Sequence, residues 1–568
     1  MIQDKHINTR RWMLMMTFVI IQLPLFLTSI EAQSWASKAA KSVFTLKTFA
    51  PDGSLIASST GFFVSEKGDA ISVFTPFINA QRAVIIDASG KEHAVDHILG
   101  ANEMYDVVKF HVASKNTEPL VLSTTKAANG SEIWMLPYST KKPNGVKGTV
   151  QKSETIMEQY AYYTLSLSMT DNAVGSPLLN ASGQVIGMMQ PAAQSGSNTN
   201  YAISAAYVNS LSVNGFSHND ATLKKTHIKI ALPKDKDQAR LALYMAGNTM
   251  NSTDYAELVE DYIKQFPDAA DGYITRAQLN VYNDNFAAAD ADMQKAVSIS
   301  DALDDTYYNY ARIIYQKEIY KQDKPYEAWS LDKALEHIHR SNEINPQTAY
   351  THLEAQILFA KKKYIEADQL FEQLLQTDLR SAELFYENAR CKEMLADTTA
   401  QLALLDSAVN ANSRPFLREA APYIWARATA LFYTGKYRQA VADFNEYEKL
   451  IGNNLNASFY YIREQAELNG RQFQQALDDI KKATEMAPDD FIYWAERASL
   501  EIRVSLTDDA IRSAQTCINV APDESDGYLF LGLAQCLKNN KTVGLKNLNI
   551  AKEKGNEQAD ALIQKYAQ

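Results

Sequence analysis

The chain carries two different periods of apolar and polar residues. From Ser34 to Val213, short apolar or alternating runs are broken by turn residues: SVFTLKTFA before PDGS, TGFFVS before EKGD, RAVIID before ASGKE, then DVVKFHV and QVIGMMQ. Runs of this kind, spaced closely by Gly, Asn and Asp, predict a β-barrel or sandwich. From Gln238 to Gln568 the period is helical, and the chain repeats itself. A small residue in a first helix is followed 12 positions later by one in a second helix, at Ala277/Ala289, Ala355/Ala367, Ala428/Ala440, Ala498/Ala510 and Gly532/Gly544. An aromatic stands three places before the second-helix position at Phe286, Tyr364, Tyr437 and Phe473, and Pro346, Pro488 and Pro522 close three units. Small residues allow two helices to cross closely and the aromatic fills the groove beside them, so the pattern predicts roughly eight stacked helix-turn-helix units of about 34 residues. The polar stretch 214–237, which contains PKDKD, reads as a linker between the halves.

One charge spacing recurs within the repeats. Arg276/Asp292, Arg427/Asp443 and Arg463/Asp479 are each 16 residues apart, which predicts an ion pair inside each hairpin; Arg497 meets Ser513 at that spacing and reads as a freer charge. At the N-terminus, Lys5, Arg10 and Arg11 precede the apolar run WMLMMTFVIIQLPLFL, and SIEA offers cleavage after Ala32. Residues 1–32 therefore read as an export signal, with Gln22 and Pro24 interrupting a core shorter than the roughly 20 residues a membrane span needs. The expected address is the periplasm or the outside, with membrane attachment only if that segment is retained. A net charge of −11 supplies no general pull toward nucleic acid. Cys391, Cys517 and Cys536 have neither disulfide-framework nor zinc-site spacing and read as small buried residues. With no P-loop, dinucleotide fingerprint or His-Glu-x-x-His motif, neither a cofactor nor a metal is expected.

Four segments of the β half stand in a telling order: STGFFVSEKGDAIS (59–72), YDVVKFHV (105–112), DNAVGSPLLNASGQVIGMM (171–189) and NYAIS (200–204). Over Ser42 to Leu211 they resemble the trypsin-like, chymotrypsin-fold serine proteases in their bacterial Deg-type form. The helical half resembles the tetratricopeptide repeat. Together the resemblances imply a multidomain chain: an all-β trypsin-like double barrel over 34–213, the linker 214–237, and an all-α tetratricopeptide solenoid over 238–568.

In the protease family a serine attacks, a histidine takes its proton and a buried aspartate orients the imidazole. The resemblance puts Thr75 at the histidine position, Asp106 at the aspartate, and Val174, three residues before Pro177, at the serine. Threonine is no base near neutral pH, and valine has no nucleophilic atom. Ser176 is the nearest candidate substitute, while His93, His97 and His111 stand away from the expected place. The family's glycine two residues before the serine is Asn172 here, which leaves the amides of Val174 and its neighbours as candidate donors for a carbonyl or carboxylate. The reading is a non-catalytic, exported pseudoprotease that binds protein or peptide partners. The alternative is an active serine endopeptidase with a non-standard catalytic set, its repeats recruiting substrate. By their places in the repeat, Gln278, His352, Gln356, Phe359, Tyr386, Arg390, Trp425, Phe432 and Tyr461 are the residues expected on the concave, partner-binding face, where aromatics and arginine supply most binding energy.

Overall fold

The computed structural model describes residues 35–114, 117–141, 143, 145–169, 171–192 and 199–567; the export-signal reading lies outside them. The chain divides into two compact units, the second beginning at Val281. In the first unit, strands β1 (Val43–Phe49), β2 (Leu55–Phe63), β3 (Asp69–Ser72), β4 (Arg82–Ile86), β5 (Glu92–Asn102) and β6 (Val107–Val112) close a barrel in the order β1-β2-β3-β6-β5-β4. A second barrel runs β10-β11-β12-β9-β8-β7, from β7 (Glu132–Met135), β8 (Val146–Ile156), β9 (Tyr160–Ser166), β10 (Pro177–Leu179), β11 (Val185–Met189) and β12 (Thr199–Ser204). Side-chain alternation divides the apolar residues between layers. Phe63, Ala70 and Phe110 fill the first barrel, Ile133, Tyr163 and Ile186 fill the second, and Phe62, Ile71, Leu179 and Ile203 form a cluster shared by both.

The expected linker is not a free segment. Leu223 and Ile228 are buried in the core of the first barrel, and Ile98 on β5 donates its amide to the Lys229 carbonyl (2.8 Å) and accepts from Ala231 (2.9 Å). A few anchoring apolar residues within a polar composition are enough to fasten the stretch along the barrel. Helix α1 (Lys236–Ala246) follows, then α2 (Ser252–Gln265), whose Glu257 pairs with Lys229 at 2.7 Å.

Helix α3 (Ala270–Tyr282) leads into a series of helical hairpins: α4 (Phe286–Ile299), α5 (Leu303–Tyr320), α6 (Leu331–Ile344), α7 (Thr348–Ala360), α8 (Tyr364–Leu374), α9 (Ala382–Met394), α10 (Thr398–Asn410), α11 (Ala421–Tyr433), α12 (Tyr437–Ile451), α13 (Ala457–Asn469), α14 (Phe473–Met486), α15 (Phe491–Arg503), α16 (Thr507–Val520), α17 (Asp526–Leu537) and α18 (Lys541–Glu553), closed by α19 (Ala559–Tyr566). Within the second unit each helix packs mainly on its neighbours in sequence. A left-handed residue recurs at the turn inside the hairpins: Asp284, Lys362, Ala396, Gly435, Arg471, Ser505 and Asn539. Each stands seven positions after the first-helix crossing position, which holds Ala277, Ala355, Ala389, Ala428, Glu464, Ala498 and Gly532. The crossing is tight: a Cβ added to Gly532 would lie 2.8 Å from the Gly544 carbonyl oxygen.

Glu464 is the exception in that series. It is fully buried; its Oε2 accepts from the Gln465 side-chain amide at 2.8 Å, and its Oε1 has no hydrogen-bond partner among the described residues. Glu467, one turn on, is also buried, with Oε2 unpartnered among the described residues. The 16-residue Arg/Asp spacing gives ion pairs at two places: Arg463 reaches Asp479 at 2.6 and 2.9 Å, and Arg427 reaches Asp443 at 2.7 Å through two of its nitrogens. Arg276 meets Glu260 at 3.0 Å. Arg497 is not a freer charge, because it pairs with Glu501 at 2.9 Å, and Ser513 bonds to that same carboxylate.

Burial pushes the Glu464 and Glu467 carboxyls up to about 8. A group protonated more strongly in the folded than the unfolded chain loses stability as pH rises. Denaturant unfolding should therefore show stability falling from about pH 4.5 toward pH 8 and levelling above it. Glu464→Gln, neutral throughout, should have a measurably shallower fall than the natural protein; an unchanged slope would contradict this.

Candidate functional site

The two expected triad residues of the first barrel do come together. Thr75 opens the short 3-10 turn Thr75–Phe77, its side chain exposed, and both its amide (2.6 Å) and its hydroxyl (2.9 Å) donate to Asp106 Oδ1. Asp106 lies just before β6, with φ of 47°, a left-handed conformation uncommon for a side chain larger than glycine. The acceptor that would orient an imidazole is thus engaged by a threonine. The histidines lie elsewhere: His93 bonds to Asp87 at 2.9 Å, and His111 bridges Asp96 and the Lys67 carbonyl, both at 2.8 Å, with His97 at 3.6 Å from Asp96. Burial opposes ionisation of Asp87, yet hydrogen bonds from Ser89, His93 and Lys91 hold its carboxyl down at about 2. His93 is therefore committed to a carboxylate of its own.

The loop 171–176 is clamped on β2. Thr60 donates its amide to the Val174 carbonyl and its hydroxyl to the Asn172 carbonyl, both at 2.8 Å. Its own carbonyl accepts from the Ser72 hydroxyl at 2.7 Å. Val174 is half-buried, its side chain packed on the cluster between the barrels. The neighbouring amides expected as donors are spent internally, Gly175 on the Met189 carbonyl (2.9 Å) and Ser176 on the Ala173 carbonyl (3.0 Å). Ser176 is fully buried, and its hydroxyl has no partner among the described residues, so no base stands beside it.

Residues 59–188 match the family model of the trypsin-like peptidase domain. The N-terminal region is a trypsin-like double barrel. Among solved structures, it is similar to the active form of the Rv3671c protease of M. tuberculosis, at 17% identity over 35% of this chain and 86% of that one, with a TM-score of 0.28. The inactive form of that protease gives 17% identity over 31% and 90%, with a TM-score of 0.26. The serine endoprotease of Yersinia pestis gives 14% over 31% and 64%, with a TM-score of 0.28.

On the helical hairpins, several expected binding residues converge. His352 and Gln356 on α7 both reach Glu387 on α9, at 2.5 and 2.7 Å, and Arg390 lies over the Phe359 ring at 4.9 Å. Tyr386 contacts Tyr423 with ring centroids 5.8 Å apart, and Tyr461 contacts Tyr493 at 5.1 Å. Phe432 meets Tyr433 and Tyr437 of its own hairpin edge to face. Trp425 is a packing residue instead, within 5.4 Å of Phe444 and 5.1 Å of Tyr447 and edged by Phe459. Gln278, in the first unit, is half-buried on α3. Glu387 was missed from the sequence, although its place two residues before the crossing Ala389 was a usable signal. The His352–Glu387 hydrogen bond raises the imidazole above its ordinary value.

The three cysteines are free and buried, and burial pushes the Cys391 thiol up to about 12 and the Cys517 thiol up to about 11. Among the described residues no cluster of His, Cys, Asp and Glu is arranged to hold a metal, and no helix is long and apolar enough to cross a membrane.

The clamp yields a direct test. Gly175 has φ of +85°, and a Cβ there would fall 1.9 Å from the Thr60 carbonyl oxygen. Gly175→Ala should cost more than about 2 kcal/mol, because strain and a backbone clash coincide. Urea unfolding checks it, and a cost near zero would mean that the loop does not sit on Thr60.

Proposed function

We propose that the protein is an exported binding protein, in which a trypsin-like domain without a working catalytic set is joined to tetratricopeptide-like hairpins that hold a protein or peptide partner. The observation that carries this reading is the Thr75–Asp106 hydrogen bond. The aspartate's acceptor oxygen is engaged, by a side chain unable to relay a proton from a nucleophile, and the aligned nucleophile is Val174. Loss of such groups removes several orders of magnitude of rate, leaving a cleft that binds without cutting. Export is supported by the charged, apolar and small-residue order of residues 5–32.

Binding is ascribed to the first-helix face, because it gathers His352, Gln356, Glu387 and Arg390 into one polar cluster beside the Phe359 and Tyr386 rings. Aromatics and arginine on a surface built from rigid repeats are the usual anchors of a partner segment.

Two measurements on the purified protein test the proposal. Incubated with unfolded casein, it should leave the substrate intact; cleavage that disappears in Asp106→Ala would establish the active endopeptidase instead. A photo-crosslinking amino acid at Tyr386 should capture a partner from the native cell envelope, whereas one at the exposed Gln373 on α8 should not. Equal capture at both positions would overturn the assignment of the face.

A further inference from the structure

Two turns of consecutive hairpins, one between α11 and α12 and the other between α13 and α14, border a cavity of about 520 Å³. Small-molecule sites fall at about 300–1,000 Å³. The walls are residues 435–439 and 469–471. They include Lys436, Arg438 and Arg471, all exposed, and no carboxylate. Arg438 is steadied by its Nε, which donates to the Gly470 carbonyl at 3.2 Å. Arg471 is the left-handed residue of its turn, with φ of 62°. A Cβ added to Gly435 would meet no atom within 4 Å, so the space over that turn is open.

Cations gathered in this way are out of character for the chain. Its net charge is −11, and in the neighbouring hairpins Arg427, Arg463 and Arg497 are each matched to a carboxylate, as are Lys392 and Lys538. Lys436, Arg438 and Arg471 make no ion pair among the described residues. Like charges around one cavity repel, so their grouping does not stabilise the fold. A bound anion reverses the sign of that interaction. Guanidinium groups present paired donors that fit phosphate oxygens, and an ammonium adds a point charge. A carboxylate brings two oxygens and a single charge to these cations, whereas a phosphate monoester brings three oxygens and roughly two charges at neutral pH. Phosphate is therefore the better match, and a cationic ligand would be repelled.

We propose that this cavity binds a phosphate group, its oxygens held by Lys436 and Arg438 from one turn and by Arg471 from the next. The site is built on hairpin turns, not on the first-helix face, and does not depend on the proposed function. Such a group is carried by soluble phosphorylated molecules and by lipid headgroups, and the same cations suit both. An acidic protein repels anions in general, so phosphate uptake by this one would be local.

The test uses the whole purified protein and two probes, inorganic phosphate and phosphatidylcholine vesicles containing phosphatidic acid. Ionic strength is kept well below 0.1 M, where the screening length is about 10 Å. Calorimetry should show inorganic phosphate binding with one site per chain, and acetate at least about tenfold more weakly. Arg438→Gln and Arg471→Gln should each weaken phosphate by at least about threefold, and the two together by about tenfold. Lys436→Gln, which removes no hydrogen bond that holds the turns, should weaken it comparably, so that a loss is not read from local unfolding. Lys546→Gln, an exposed cation on α18, should change nothing. Co-sedimentation with the vesicles that is lost in the double variant assigns the phosphate to a lipid headgroup; binding of inorganic phosphate without co-sedimentation assigns it to a soluble molecule. The inference is overturned if neither probe binds, if acetate binds as tightly as phosphate, if the double variant binds as the natural protein does, or if Lys546→Gln weakens binding as much as the arginine variants.

Discussion

Thr60 is the residue on which the candidate site depends. One amide, one hydroxyl and one carbonyl on β2 engage Val174, Asn172 and Ser72, and its carbonyl oxygen leaves room only for glycine at position 175. The contacts to Val174 and Asn172 fasten a loop of the second barrel to a strand of the first. Both are accepted by backbone carbonyls of the loop, so they do not depend on which side chains the loop carries. The loop is thus held in place whichever side chain stands at position 174.

The same separation of scaffold from chemistry appears at Asp106. Its conformation and its place before β6 are set by the barrel, while its partner depends on one side chain in the turn opening at Thr75. A hydroxyl and an amide donate to one oxygen of the carboxylate, so its hydrogen bonding does not require an imidazole.

Much of the architecture was legible in the sequence because it rests on periodicity. Alternation along 34–213 predicted a barrel or sandwich, which the resemblance over 42–211 narrowed to a double barrel, and small residues 12 apart predicted the helix crossings; both patterns are steric requirements repeated many times. The Arg427/Asp443 and Arg463/Asp479 pairs were readable for the same reason. What periodicity could not show was non-repeating. Leu223 and Ile228 fasten a polar stretch to the first barrel, and two anchors five residues apart set no period. Trp425 was indistinguishable from a binding aromatic until its packing on Phe444 and Tyr447 was seen. Glu464 occupied a crossing position in plain view, but its significance lies in the absence of a partner, which only the fold reveals.

The account's central claim is that no serine in this protein is activated as a nucleophile. The most direct measurement is labelling of the folded protein with a fluorophosphonate, which reacts with activated serine hydroxyls, using Ser176→Ala as the comparison. The account predicts no labelling of either protein, because Ser176 is buried with no base beside it and Val174 offers no oxygen. Labelling of the natural protein that vanishes in Ser176→Ala would contradict it and identify a serine hydrolase with a rebuilt site.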